Sequence, residues 1–406
     1  MLTLKIAYRN IFRQRRRSLL TGLSMAGGYI LFVFSYSLLE GSWGNIVDIF
    51  TLDSTGHIQM HRDDYVDKPK IYKSIQDTQK SEAAIQSIDA IKSYTSRVFS
   101  PALAYAGDKT SLARIIGVDP ILEPKVTRLR QKVSDGNYFD TSPTAEGYFK
   151  AMIGAGLANN LKIEVGDEIV LISQGADGSI ANDIYLVSAI IGNETSFDRI
   201  AVYLPLAAAQ EFLSMGSYVH EYAMLVDDAH KNEEIAEELQ KVIPELTVSP
   251  WQVVEATFYR TMQTDKQGNY FTMGLIVFIV FIGVLNTILM SVLERTREFG
   301  VLRSIGCRPV DLVRMVLLET LMLTGLSVII GALLITPINL WLSTTGFLIP
   351  EPVDMGGVSF QRMKGEFAAY IFLHPMFFML VTAILINIPP GIRAARILPR
   401  NALGAH

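Results

Sequence analysis

The chain has 406 residues, of which 50% are apolar and 19% are charged, and its mean hydropathy is +0.28. A soluble chain carries about 25% charged residues, and a single cysteine, Cys307, excludes a disulfide scaffold. The net charge of −4 divides unevenly: 1–39 has six Lys and Arg and no acid, 40–270 has twenty against thirty-three Asp and Glu, and 271–406 has ten against seven. This division predicts a membrane protein with a large acidic insert.

Four apolar runs are long enough to cross a bilayer, which requires about 20 residues of helix. They are residues 18–39, 270–293, 315–342 and 370–388. The first run follows a basic start, as a cleaved signal peptide would, but it is longer than a typical signal core and no small-residue cleavage site follows it. A retained span is therefore favoured. Glu319 lies about one helical turn inside the third run, where pairing or snorkelling near the inner surface is favoured over a proton relay.

The distribution of basic residues predicts the orientation of the spans, because Lys and Arg in short loops mark the cytoplasmic side. Basic residues are frequent before the first span, between the second and third spans, and after the fourth. The 343–369 loop has only Arg362 and Lys364. Both termini and the loop that contains Cys307 are therefore predicted to be cytoplasmic, and the insert is predicted to lie outside.

The predicted organisation follows from these spans. It consists of a cytoplasmic basic arm (1–17), a first span with its stalk (18–44), an outer domain (45–265), a second span (266–293), a cytoplasmic loop (294–314), a third span (315–342), an outer loop (343–369), a fourth span (370–388) and a cytoplasmic tail (389–406).

The insert mixes strand and helix signals. Apolar residues at every second position predict a strand at 56–60, and apolar segments next to turn signals predict strands at 98–106, 113–118, 169–172, 185–191 and 200–204. Helical spacing predicts helices at 81–91, 155–161, 205–213 and 232–243. The mixture predicts an α+β domain inserted between the first two membrane helices, in which 120–179 forms a smaller inserted lobe.

The insert shows little sign of catalytic chemistry. It contains no H-E-x-x-H or G-x-S-x-G motif. His57 and His61 lie in a strand pattern with no third ligand nearby, which favours ordinary surface histidines over a metal site. We therefore expect a binding or mechanical module.

The loop at 293–314 mixes apolar residues with charges of both signs. A helix that leaves the bilayer and turns at Gly306 and Pro309 would lie along the inner surface. Contact with lipid headgroups would explain the arginines alone. Because Glu294 and Glu298 gain nothing from anionic lipid, the mixture favours a protein partner.

Several segments resemble the FtsX-like, or MacB-type, permeases of ABC transporters, and their order and spacing match together over essentially the whole chain. They are AYRNIFR (7–13), IIGVDP (115–120), GAGLA with VGDE (154–158 and 165–168), ERTREFGVLRSIG (294–306) and RAARILP (393–399). Within this family, STGHIQ (54–59) after the first span is most similar to the lipoprotein-releasing LolC/LolE group.

The resemblance implies a multi-pass permease of the bacterial inner membrane. It would pair with a second permease subunit, identical or different, and with a dimer of ABC ATPase subunits. The sequence has no G-x-x-x-x-G-K-[ST] motif, so we expect no catalytic activity and no cofactor in this chain, with ATP and Mg²⁺ bound by the partner ATPase. No nucleic-acid partner is expected.

By analogy with the family, two groups of residues would carry function. The ATPase contact would use Glu294, Arg295, Arg297, Glu298, Phe299, Leu302, Arg303, Gly306 and Arg308. Packing of the first span in the dimer would use Gly22, Ala26, Gly27 and Gly28, since small residues permit close approach, although they are common in membrane spans generally.

The expected function is transmission of ATPase motion to the outer domain, with extraction of lipoprotein, lipid or another amphiphile and delivery to a periplasmic carrier or adaptor. A hydrophilic cargo is disfavoured because Glu319 is the one charge within the spans. Two alternatives remain: an ATPase-driven signalling subunit that activates a periplasmic hydrolase or senses a peptide, and an anchored binding module without an ATPase.

Overall fold

The computed structural model describes residues 9, 15–144, 146–355 and 358–396, which fall into two compact units. The membrane unit comprises Met1–Gly44, Met262–Leu348 and Arg362–His406, and the insert unit comprises Asn45–Thr261 with Ile349–Gln361. Most of the predicted basic arm and residues 397–406 of the predicted tail lie outside the described residues.

Helices and strands follow in this order along the chain. They are α1 (Arg15–Phe50), β1 (Ile58–His61), α2 (Thr78–Gln86), β2 (Ile91–Ala106), β3 (Lys109–Val118), α3 (Glu123–Val126), β4 (Val133–Gly136), β5 (Phe149–Gly154), α4 (Ala155–Leu161), β6 (Glu168–Gln174), β7 (Ile180–Ile191), β8 (Ala201–Pro205), α5 (Leu206–Phe212), β9 (Glu221–Val226), α6 (Asn232–Val242), β10 (Thr247–Pro250), α7 (Trp251–Val254), α8 (Ala256–Glu294), α9 (Thr296–Ser304), α10 (Pro309–Thr344), β11 (Phe347–Met355), β12 (Val358–Met363), α11 (Ala369–Ile386) and α12 (Ile388–Ala395).

Four helices, α1, α8, α10 and α11, are long and apolar enough to cross a membrane, which confirms the predicted number of membrane helices within the described residues. Several of their buried polar side chains hydrogen-bond to a neighbouring helix, which satisfies groups that are shielded from water. The Tyr29 hydroxyl donates to the Phe372 carbonyl oxygen at 3.1 Å. Ser37 hydrogen-bonds the Asn339 side chain, whose amide donates to the Glu366 carbonyl at 3.2 Å. These bonds join α1 to α10 and to the start of α11.

The insert unit contains one large sheet, with strand order β10-β1-β9-β2-β3-β8-β5-β7-β4. Strand β6 pairs with both β2 and β7, so six of the strands close into a ring. Together with the helices of this unit, the sheet confirms the predicted mixed α and β insert. The strands of the predicted smaller lobe, β4, β5 and β6, belong to this same sheet.

Along three strands, β2, β6 and β7, buried side chains alternate with more exposed ones. Ala102, Ala104, Leu171 and Val187 alternate with more exposed neighbours and pack inside the ring. In β9 all residues but one are buried, so this strand has no polar alternation to reveal it. Strand β9 was not among the predicted strands, whereas the equally buried β8 was predicted from the continuous apolar run at 200–204.

Three histidines, His57, His61 and His220, lie buried in the insert unit, so the expectation that His57 and His61 are surface residues is wrong. His61 Nε2 contacts a Glu221 carboxylate oxygen at 3.1 Å, and the Tyr65 ring stacks between His61 and His220. His220 accepts from the Phe99 amide through Nδ1 at 3.0 Å, and its Nε2 lies 2.9 Å from the Ile71 carbonyl oxygen. Within the described residues, no cluster of three His, Cys, Asp or Glu side chains could hold a metal ion.

Acidification is predicted to destabilise the insert unit. Burial lowers the pKa of His57 and of His220. Below about pH 6.5, the pKa of an unfolded histidine, the unfolded chain therefore binds protons that the folded chain does not, and the free energy of unfolding falls with pH. We expect the thermal unfolding midpoint of the purified chain to fall between pH 7.5 and pH 5.5.

His220→Gln should reduce this loss of thermal stability, whereas His230→Gln, at an exposed position, should leave it unchanged. Equal losses on acidification in the two variants would contradict the assignment to the buried ring.

Candidate functional site

The loop between α8 and α10 forms a short separate helix. Helix α8 ends at Glu294, Arg295 leaves helical geometry at φ −96° and ψ 11°, and α9 begins at Thr296. After α9, Gly306 adopts φ +99°, a backbone conformation that favours glycine. Helix α10 then begins with Pro309 in its first turn. The predicted turn at Gly306 and Pro309 is confirmed.

Arg295 anchors α9 to the membrane unit. Its guanidinium bonds Glu298 Oε2 at 3.0 Å and Glu319 Oε2 at 2.9 Å. It also lies over the Phe299 ring, 5.3 Å from the centroid. The Arg295 side chain is only 9% exposed and the Glu319 side chain 21%. The pairing expected for Glu319 near the membrane surface is therefore confirmed, with Arg295 as its partner.

The predicted contact residues consequently occupy two different environments. The structure places Arg295 and Phe299 inside the membrane unit, where Phe299 is 1% exposed. Leu302 and Arg303 are half-buried. Exposed positions are Glu294, Arg297, Glu298, Gly306 and Arg308. A partner could reach the second group without displacing the anchor.

Two aliphatic residues that the sequence analysis did not assign to the contact join this exposed group. Val301 is 41% exposed and Ile305 is 78% exposed. Val301 follows Glu298 by three residues and Arg297 by four, the spacing that places residues on one side of a helix, and Ile305 follows Val301 by four, directly after the end of α9. This spacing is the signal that could have revealed them. The resulting contact face comprises Glu294, Arg297, Glu298, Val301 and Ile305.

The small residues of α1 lie mostly against other helices of the same chain. A methyl group added at Gly28 would come within 3.0 Å of Val280 on α8, and one at Gly22 would approach Ser327 on α10 at 3.4 Å. Ala26 is 3% exposed. Around Gly27, by contrast, an added methyl group would meet no atom within 4 Å, so Gly27 alone of the four has open space beside it.

An apolar cavity of about 440 Å³ opens among α1, α8 and α11. It is lined by Phe32 and Tyr36 of α1, by four residues of α8 from Tyr270 to Val277, and by His374 and Phe378 of α11. Its volume lies within the range of about 300–1,000 Å³ that is typical of ligand pockets.

One end of this cavity is polar. The Tyr36 hydroxyl lies 3.1 Å from His374 Nδ1. The Tyr270 hydroxyl donates to Glu40 at 3.2 Å, and Lys266 pairs with the other oxygen of the same carboxylate at 3.1 Å. The cavity thus has an apolar body and a polar rim, the distribution that an amphiphile would match.

Comparison with known families assigns most of the chain. The MacB-like periplasmic core domain matches residues 18–242. The FtsX-like permease C-terminal domain matches residues 270–399. Together these matches cover most of the insert and most of each long apolar helix, and residues 243–269 lie between them.

Several curated proteins are similar to the chain over most of its length. The lipoprotein-releasing system transmembrane protein LolE of Haemophilus influenzae is 23% identical over 81% of this chain and 81% of its own length. LolC of Xylella fastidiosa is 23% identical over 73% of this chain and 74% of its own length. The pyoverdine export ATP-binding/permease protein PvdT of Pseudomonas fluorescens is 28% identical over 67% of this chain but only 40% of its own length.

Two solved extracytoplasmic domains are similar to part of the chain. The periplasmic region of MacB from Actinobacillus actinomycetemcomitans has a TM-score of 0.37 and 11% identity, covering 52% of this chain and 95% of that structure. The extracellular domain of the ABC-type transporter YknZ has a TM-score of 0.34 and 13% identity, and the match covers 47% of this chain and 97% of that structure.

The two environments in the α8–α10 loop predict two different mutant phenotypes. Arg295→Ala leaves Glu319 without its partner, at a cost of about 2 kcal/mol, and should lower the unfolding midpoint by about 5 °C. Arg297→Glu combined with Ile305→Asp changes only the contact face and should leave that midpoint unchanged, but it should reduce recovery of the partner ATPase on affinity purification.

The control is Arg314→Glu, since Arg314 is 69% exposed and lies outside the contact face. Wild-type ATPase recovery by the Arg297→Glu/Ile305→Asp variant would show that the partner binds elsewhere.

Proposed function

Because this chain belongs to the MacB/FtsX/LolC family of ABC transporter permeases, we propose that it extracts an amphiphile, such as a lipoprotein or lipid, from the outer leaflet of the inner membrane. ATP and Mg²⁺ would bind a separate partner ATPase, although relatives such as PvdT are named as ATP-binding and permease protein in one. A second permease subunit would complete the transporter.

The apolar cavity carries this proposal. Its lining comes from three membrane-spanning helices, so the molecules that meet it are those dissolved in the bilayer. A chain of methylene groups would fill the apolar body, while the Tyr36–His374 pair and the Tyr270 hydroxyl offer hydrogen bonds to an ester, amide or hydroxyl group. A charged hydrophilic solute would lose its hydration there without gaining a free counter-charge, since Glu40 and Lys266 already pair with each other.

The contact face supports the coupling half of the proposal. A partner can shift a conformational equilibrium only if it binds one state better than the other. The partner ATPase would therefore bind the contact face more tightly in its ATP-bound closed form. Arg295, Phe299 and Glu319 would carry the displacement from α9 into α8 and α10, because they bond or pack α9 onto those helices.

The proposed orientation places the contact face in the cytoplasm, and Cys307 offers a direct test because it is the chain's one cysteine. It lies partly exposed between α9 and α10. A membrane-impermeant maleimide should label it in inverted membrane vesicles and not in intact spheroplasts, measured by the mass increase of the purified chain. Labelling in intact spheroplasts alone would reverse the orientation.

Filling the cavity should remove the cargo. Gly274 lines the cavity, and a methyl group added there would meet no atom within 4 Å. We therefore expect Gly274→Leu to occupy the cavity without a clash and to abolish co-purification of bound lipid or lipoprotein, measured by native mass spectrometry of the complex.

Gly283→Leu is the matched control, because Gly283 lies on the same helix, has open space beside it and does not line the cavity. Absence of bound amphiphile from the wild-type complex, with a periplasmic hydrolase in stable association instead, would favour the signalling alternative over transport.

A further inference from the structure

The turn that follows α1 is π-helical, and its carbonyl oxygens are hydrogen-bonded to more distant parts of the insert unit. After Phe50 the chain makes a π-helical turn, Thr51–Thr55, before Gly56. Three successive carbonyl oxygens of this turn accept hydrogen bonds from groups elsewhere in the insert unit. The Leu52 carbonyl accepts from the Arg128 amide at 2.7 Å, the Asp53 carbonyl from Lys132 Nζ at 3.4 Å, and the Ser54 carbonyl from Arg97 Nη1 at 2.5 Å.

Arg97 connects this turn to the centre of the sheet. Its side chain is 6% exposed. Nε and Nη2 bond the two oxygens of the Glu123 carboxylate at 3.1 and 2.8 Å, and Nη1 bonds Glu221 at 2.8 Å. Although burial disfavours the charged form, these two carboxylates raise the pKa of Arg97 above its usual value. Arg97 lies in β2 and Glu221 in the neighbouring β9, so the guanidinium joins Ser54 to two paired strands.

Lys132 makes a similar contact to Asp53, the residue of the turn that precedes Ser54. Its side chain is 5% exposed, and Nζ bonds the Asp198 carboxylate at 2.7 Å as well as contacting the Asp53 carbonyl. Asp198 in turn accepts from the Tyr203 hydroxyl of β8 at 2.8 Å. Two buried cations thus lie at the carbonyl end of α1, where the helix dipole also favours positive charge.

The start of α8, by which the chain leaves the insert unit, packs against the end of α1. Phe50, the last residue of α1, stacks on Phe258 near the start of α8, with ring centroids 4.0 Å apart. The beginning and the end of the insert are therefore joined beside the turn that Arg97 and Lys132 hold.

Stability alone does not require these ions. Burying charges costs free energy that their mutual attraction seldom exceeds, and replacing a complete buried ion cluster by well-packed neutral residues is often neutral. A neutral aliphatic residue at position 97 could fill the space, but it could not donate to the Ser54 carbonyl and to two strands at once. What the two cations provide, and neutral residues cannot, is hydrogen bonding that connects the turn to the sheet.

We propose that Arg97 and Lys132 are positioning residues that clamp the turn Thr51–Thr55 to the sheet, so that displacement arriving along α1 moves the sheet with it. The clamp rests on the proposed function for the source of that displacement. Without the clamp, the π-helical turn would absorb the motion, because irregular turns deform more readily than paired strands.

The test uses the full complex with its partner ATPase in lipid nanodiscs, analysed by hydrogen exchange with mass spectrometry. The variant is Arg97→Met/Glu123→Gln/Glu221→Gln, which removes the donor to Ser54 and leaves no unpaired carboxylate. Glu221→Gln alone is the matched control, because it keeps both Arg97–Glu123 bonds and the bond to Ser54. Lys132→Met/Asp198→Asn/Asp53→Asn tests the second cation independently if the triple variant does not fold, and Asp53 is included because its carboxylate lies 3.8 Å from Lys132 Nζ.

The first reading is made without nucleotide. Loss of the clamp should increase exchange at the Gly56 and Arg128 amides, which bond the carbonyls of Thr51 and Leu52, while β9 stays protected. Unchanged protection of both amides in a folded clamp variant would overturn the proposal.

The second reading compares vanadate-trapped and nucleotide-free complexes. In wild type and in Glu221→Gln, trapping should change exchange both in residues 45–50 and in β1 and β2. In the triple variant the change should persist in 45–50 and be lost from β1 and β2. A persistent response in these strands would overturn the clamp. No response in the wild type would instead contradict the proposed coupling, and the first reading would still decide whether Arg97 holds the turn.

Discussion

A charge removed from water must be paired, and this constraint governs both units of the structure. In the membrane unit it brings Arg295 to Glu319, and that pair determines where α9 lies against α10. In the insert unit it brings Glu123 and Glu221 to Arg97, at the point where the chain leaves α1. In both places the ion pair joins a connecting segment to a helix or a strand. The buried charges, which cost free energy to remove from water, therefore lie where the chain changes direction.

Elements set by local periodicity could be predicted from the sequence. Long apolar runs predicted the four membrane helices, because hydropathy alone distinguishes a span from a soluble helix. Alternation predicted strands such as β2 and β7, which present one face to the core and one to solvent. The glycine and proline that bound the α9–α10 turn also acted locally, through the positive φ of Gly306 and the ring of Pro309.

Features that depend on distant partners could not be predicted. Arg295 and Arg297 are two residues apart and look equivalent in the sequence, but only Arg295 faces Glu319, 24 residues further on. The apolar cavity is assembled from three helices, none of which shows a special pattern by itself. The closure of six strands into a ring depends on the pairing of β6 with both β2 and β7. The turn residues between β6 and β7 indicate that these two strands pair, but they give no sign that β6 also pairs with β2.

The division of the chain into units has a consequence for biogenesis. The insert unit comes mainly from one continuous stretch, Asn45–Thr261, whereas the membrane unit is assembled from three separated segments. Ser37 and Asn339, which bond each other, are 302 residues apart. During synthesis α1 must therefore remain in the bilayer, with Ser37 lacking its Asn339 partner, until about 300 further residues have been made. Its survival through that interval depends on lipid, on the insertion machinery or on another subunit until α10 arrives.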